Sequence, residues 1–161
     1  MASTVIVNAS PLIFLSRGHH LDLLQHFADR VVVPQPVANE VFRKGPVDTS
    51  AAALANTPWL EIITPPPIPA AILEWGLGSG ESSVLSVAYL HDEAEVIIDD
   101  LAARRCADAL SIPVRGTLGI VLAARQRGIV PSARAVMEDL IQGGMYLSRD
   151  VLNAALSRVG E

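Results

Sequence analysis

Short apolar runs recur along the chain, and each is closed by a polar residue or a proline. Thr4-Val5-Ile6-Val7 meets Asn8, Val31-Val32-Val33 meets Pro34, and Leu60 to Thr64 meets Pro65-Pro66-Pro67. Val96-Ile97-Ile98 meets Asp99-Asp100. Runs this short and this apolar predict strands buried on both faces. Between them the spacing turns helical. A pattern through Leu12, Ile13 and Leu15, then Leu21, Leu23, Leu24 and Phe27, predicts two short helices interrupted by Gly18-His19-His20. Pro36 suits the first turn of a helix running to Gly45, and Asp48-Thr49-Ser50 predicts an N-cap opening a helix to Asn56. Further helices are predicted from Glu81 to His91 and from Leu101 to Leu110, then a last strand over Ile112 to Val114. Leu118 to Arg127, Ser132 to Gln142 and Ser148 to Arg158 read as three closing helices. Strands alternating with helices predict an α/β domain with a mainly parallel sheet. Ligands of such sheets gather outside the carboxyl ends of the strands.

Bulk properties narrow this picture only a little. With 161 residues, 50% hydrophobic and 18% charged, the chain suits a single compact domain, expected to span residues 1–161. The Pro65-Pro66-Pro67-Ile68-Pro69 stretch is too short to separate a pair of viable domains. No apolar run approaches the roughly 20 residues that cross a bilayer, so no membrane role is expected. The opening residues lack a basic segment followed by an apolar stretch, so no secretory leader is expected. The lone Cys106 cannot form an intramolecular disulfide and fits a reducing compartment, with the cytoplasm as the expected location. A formal charge of -5 argues against a nucleic-acid binder held by a broad basic surface. It leaves open an enzyme on nucleic acid that uses an acidic metal site and a few local arginines. The apolar residues of the last helices, Leu140, Ile141, Met145, Leu147, Val151 and Leu152, are read as core ahead of a dimer face.

The candidate chemistry lies at the strand ends. Asn8 follows the first strand, Asp99 and Asp100 follow the fourth, Glu40 lies on the helix after the second, and Glu81 opens the helix after a glycine loop. A parallel sheet can bring all of these to one rim. Carboxylates crowded there repel one another, and a hard divalent cation with oxygen ligands relieves the repulsion. Such a cation lowers the pKa of a water and neutralises phosphate oxygens. Each residue also has a plainer reading. Glu81 gains from the helix dipole, Asp99-Asp100 can cap the next helix, Glu40 can be merely solvated, and Asn8 can close an Asx-turn. These explain the residues singly but not their recurrence at strand ends. Other sites fit poorly. Gly76, Gly78 and Gly80 have G-x-G-x-G spacing after a short helix and no lysine, unlike dinucleotide or P-loop sites. The histidines lack metal-ligand spacing, and Ser10 has neither a nearby partner nor a nucleophile elbow.

Taken in order, Asn8-Ala9-Ser10-Pro11-Leu12-Ile13, Val37-Ala38-Asn39-Glu40-Val41, Gly76-Leu77-Gly78-Ser79-Gly80-Glu81, Ile97-Ile98-Asp99-Asp100-Leu101-Ala102-Ala103-Arg104 and Arg115-Gly116-Thr117-Leu118-Gly119 resemble the PIN domain. The resemblance implies a three-layer α/β/α sandwich on about five mainly parallel strands. It implies a ribonuclease cutting single-stranded RNA, dependent on Mg2+ or Mn2+, with Glu40, Glu81 and Asp99 as metal-site acids, Asp100 as a further candidate and Asn8 joining them. Ser10 and Thr117 match positions that place hydroxyls near the site, and Arg104 matches an arginine that meets RNA phosphate or pairs with an acid. Arg43 or Arg105 could assist it. Many members are toxins blocked by an antitoxin protein, and they often form homodimers. Asn8 is the departure, because the family more often has aspartate there. An amide oxygen can ligate a hard cation but brings no charge, so weaker metal retention and a one-metal site are expected. The alternative is an impaired PIN-like protein that binds RNA or a partner protein. A phosphatase would require an aspartate nucleophile on the first strand, a role closed to Asn8.

Overall fold

All five apolar runs become strands, and every pairing between them is parallel. The computed structural model describes residues 2–161. The strands are β1 (Ala2–Val7), β2 (Ala28–Pro34), β3 (Leu60–Ile63), β4 (Ala94–Ile97) and β5 (Val114–Arg115), in the spatial order β3-β2-β1-β4-β5. Val5, Ile6 and Val7 are all fully buried although their side chains alternate between faces, so both sides of β1 are covered by helices. Each such side chain stabilises the fold by about 1.5–3 kcal/mol relative to exposure.

The helices are α1 (Ala9–Arg17), α2 (Gln35–Phe42), α3 (Thr49–Asn56), α4 (Ala70–Leu73), α5 (Ser79–Tyr89), α6 (Leu101–Ala109), α7 (Thr117–Gln126), α8 (Ala133–Gln142) and α9 (Arg149–Ser157). A 3-10 turn over Leu21–His26 replaces the second of the two short helices expected before β2. The predicted break at Gly18-His19-His20 is present, with His19 in the left-handed region at φ 63°. The Asp48 side chain caps α3 by accepting from the Ser50 and Ala51 N–H groups at 3.0 and 3.2 Å. It also accepts from Arg17 Nη2 at 2.8 Å, tying the end of α1 to the start of α3. The Ser50 hydroxyl and Arg17 hold this carboxyl well below the usual carboxylate range.

One strand lies later than the sequence pattern indicates. The apolar run predicts a strand over Ile112 to Val114, whereas β5 is Val114–Arg115. Ile112 donates its N–H to the Ala107 carbonyl at the end of α6, 2.8 Å away, and Pro113 has no N–H. The sheet bonds begin from the partner side, with Val96 N–H on Pro113 O and Ile98 N–H on Arg115 O, both at 2.9 Å. In the last helices Leu140, Met145 and Leu152 are buried in the core as expected, while Val151 is half exposed. Among the described residues no helix is long and apolar enough to cross a membrane.

Candidate functional site

Because the strands are parallel, all their carboxyl ends share one edge of the sheet. The chain leaves β1 toward β2 and leaves β4 in the opposite direction, toward β5, so a crevice opens between the two neighbouring strands. Asn8 stands there. Its N–H donates to Ile97 O at 3.0 Å, fixing the first residue after β1 against the end of β4. It occupies the N-cap position of α1 with φ -81° and ψ 170°, yet its side chain makes no capping bond. Instead Nδ2 donates to Glu81 Oε1 at 3.5 Å. The residue is only 3% exposed. Its Oδ1 is buried with no hydrogen-bond partner among the described residues. The opposite amide orientation would turn that oxygen onto a carboxylate, so electrostatics favours the one observed.

Two glycines make room for these oxygens. A methyl group at Gly80 would stand 3.3 Å from both Asn8 Oδ1 and Glu40 Oε2, which places all three around one point. At Gly78 it would stand 2.6 Å from Glu81 Oε2, so the glycine loop lets Glu81 fold back over the start of its own helix. Glu81 lies in the first turn of α5, where the helix dipole favours its charge. Glu40 comes from α2, which packs against α5. Three elements distant in sequence thus deliver Asn8, Glu40 and Glu81 to one place.

The fourth strand contributes a second cluster. Asp99 accepts from the Thr117 N–H through Oδ1 and from the Thr117 hydroxyl through Oδ2, both at 2.7 Å. Thr117 is fully buried, and its hydroxyl is bonded to the acid. A methyl group at Gly116 would lie 2.9 Å from both Arg104 Nη1 and Asp99 Oδ1. Yet Arg104 forms no ion pair among the described residues. Asp100 takes the capping role that was its plainer reading. It is exposed, and Oδ2 accepts from the Ala103 N–H at 3.0 Å, capping α6. Ser10 is exposed in the first turn of α1.

A family model described as a PIN domain, DUF3368, matches residues 4–161. The chain belongs to the PIN-domain family. No curated protein matches it. The fold is thus of nuclease type, and PIN domains are generally metal-dependent nucleases. In this PIN domain the donors fit a hard cation. They are all oxygens, one is a buried amide oxygen lacking a partner, and Gly80 leaves the space beside it open. Among the described residues no three His, Cys, Asp or Glu side chains form a metal-holding group by themselves.

Other reactive groups of this PIN domain lie elsewhere. Cys106 is buried in α6, and burial raises its thiol pKa, which suits packing rather than nucleophilic work. His20 bonds Asp139 at 2.8 Å, and His91 bonds the Val87 carbonyl at 2.8 Å. A cavity of about 610 Å³ sits at the amino ends of the strands, lined by Ala2, Ala94, Pro113 and the acids Asp92, Glu93 and Glu95 among others, and by none of Asn8, Glu40, Glu81 and Asp99. Sequence reasoning missed the roles of Gly80 and Gly116, whose effect depends on contacts between distant elements. The only local signal was the pairing of Gly116 with Thr117 at a helix start.

Proposed function

We propose that this PIN domain is a metal-dependent endoribonuclease acting on single-stranded RNA. The observation that carries the reading is the buried, unpartnered Asn8 Oδ1 beside Glu40 and Glu81 at the crevice between β1 and β4. Asn8, Glu40, Glu81 and Asp99 would hold Mg2+ or Mn2+. Bound there, the cation supplies a more acidic water and neutralises charge developing on phosphoryl oxygens. The protein's own groups provide positioning. Thr117 fixes Asp99 through two bonds, and the Asn8 amide fixes Glu81. Arg104, with no acid as partner, is available to hold an RNA phosphate beside Asp99, with Arg43 or Arg105 following the backbone.

The family resemblance extends the proposal to the toxin of a toxin–antitoxin pair, working in the cytoplasm as a homodimer. Exposed Leu73 and Trp75 ahead of the glycine loop, and exposed Leu101 beside Asp100, support a protein partner that covers this rim. The test is cleavage of a labelled single-stranded RNA in Mn2+ by the parent, Glu81→Gln and Asn8→Asp proteins. The parent is expected to cut, and Glu81→Gln to lose cleavage while remaining folded. Full activity of Glu81→Gln, with contaminating nuclease excluded, sinks the reading. Cleavage by Asn8→Asp alone would instead assign the parent to the binding modules, as the amide in place of an acid allows.

A further inference from the structure

The nuclease reading leaves open why an amide stands where a fourth acid would give the cation more charge. We propose that Asn8 is a two-sided positioning residue that makes the site a single-cation centre already assembled before the cation arrives. The inference rests on the ribonuclease reading for the presence of a cation, but its argument concerns only the side chains of this chain.

Asn8 Nδ2 points to Glu81 Oε1 at 3.5 Å, and Oδ1 lies on the Gly80 side with Glu40 Oε2. A carboxylate at position 8 would present oxygen to two glutamates at once, in a crevice where the residue is 3% exposed. Arg104 stands by Asp99 and Gly116, and it forms no ion pair with Glu40 or Glu81. Little would offset that repulsion without a metal ion. The amide removes it and replaces it with an attraction, because its N–H group gives Glu81 a donor. What the amide leaves unsatisfied is its oxygen alone. A buried acceptor with no partner is unfavourable, and a hard cation is a partner that suits an amide oxygen placed beside two carboxylates, which are themselves acceptors. One end of Asn8 therefore orients an acid, and the other end waits for the ion. With three acids in place of four, the site suits one divalent ion and disfavours a second.

The experiment uses the full chain freed of metal by chelation, with Mn2+ alone as the probe. Melting temperature and Mn2+ titration calorimetry are compared for the parent, Asn8→Asp, and Asn8→Asp combined with Glu81→Gln. The double variant restores an amide–carboxylate pair with donor and acceptor exchanged. The parent is expected to bind one Mn2+. Asn8→Asp should melt several degrees lower without metal, or fold only once Mn2+ is added, and should bind the ion about tenfold more tightly. The double variant should regain the metal-free melting temperature and lose the gain in affinity. Metal-free melting of Asn8→Asp equal to the parent's, or a double variant no more stable than Asn8→Asp, would overturn the role given to Asn8 while leaving a nuclease intact. A parent that takes up no Mn2+ overturns the ribonuclease reading itself, and this inference with it.

Discussion

Two neighbouring junctions, β1 to α1 and β4 to α6, solve the same problem in different ways. Each passes from the carboxyl end of a buried parallel strand into a helix, and each places a residue of capping type at the N-cap position. At β4 the work is divided. Asp100 is exposed and caps α6, which leaves Asp99 free to be gripped by Thr117. At β1 there is one polar residue only, and Asn8 forgoes the cap to face Glu81 and Gly80. Giving up an N-cap bond costs about 1 kcal/mol, and leaving the amide oxygen buried without a partner costs more. A fold under no demand but stability would turn the amide toward its own helix. The difference teaches that capping chemistry in a sequence is not by itself a structural role; the second acid at β4 is what separates cap from site.

Substitutions can break this comparison in order of severity. Gly116→Val pushes a side chain between Arg104 and Asp99, and Asp99 is held too firmly to yield. Cleavage of single-stranded RNA should fall about a hundredfold, as expected for displaced reacting groups, with RNA affinity weakened in a gel-shift titration. Thr117→Val keeps the backbone bond to Asp99 and removes the hydroxyl bond. It should cost about 2 kcal/mol in urea unfolding and reduce cleavage, while Thr117→Ser should restore both.

Asp48, a capping acid far from the rim, provides the control. Asp48→Ala should cost about 1 kcal/mol at neutral pH. Its carboxyl is held low by the Ser50 hydroxyl and Arg17, so its contribution is complete above the ordinary Asp value of about 3.9 and is lost as pH falls through the lower folded value. The gap between parent and variant in urea unfolding should therefore be constant from pH 7 to about pH 4 and close below that. Asp100→Asn should change least. Asparagine caps as well as aspartate, so stability should stay within about 0.5 kcal/mol and cleavage should be unaltered. A large loss of cleavage in Asp100→Asn would return that residue to the metal site.

Much of the fold was legible because its strands are short apolar runs with firm stops. Thr4 to Val7 and Leu60 to Thr64 fall within a residue or two of β1 and β3, and Asp48 does cap α3. β5 was placed early because the destination of the Ile112 N–H is settled by the end of α6, not by hydropathy. At the site, the alternation of strand and helix sufficed to send Asn8, Glu40, Glu81 and Asp99 to one edge. Spacing alone does not divide the labour between Asp99 and Asp100; the family resemblance ranks Asp99 ahead and leaves capping open for Asp100, which bonds Ala103 while Asp99 bonds Thr117. Thr117 was noticed for its hydroxyl, but the direction of that hydroxyl depends on a strand end 18 residues earlier.

The β1–β4 pairing also has a consequence for the order in which the protein acquires any activity. Residue 8 is synthesised well before residue 97, and its N–H has its partner only when residue 97 has emerged. Asp99 has its grip only when residue 117 has followed. Contacts so distant in sequence form late, after the chain has met the entropy of closing a long loop. An unfinished or truncated chain that stops short of α7 therefore lacks the two bonds that fix Asp99. Whatever chemistry this rim performs, the growing polypeptide is spared from performing it in full until the central sheet has closed.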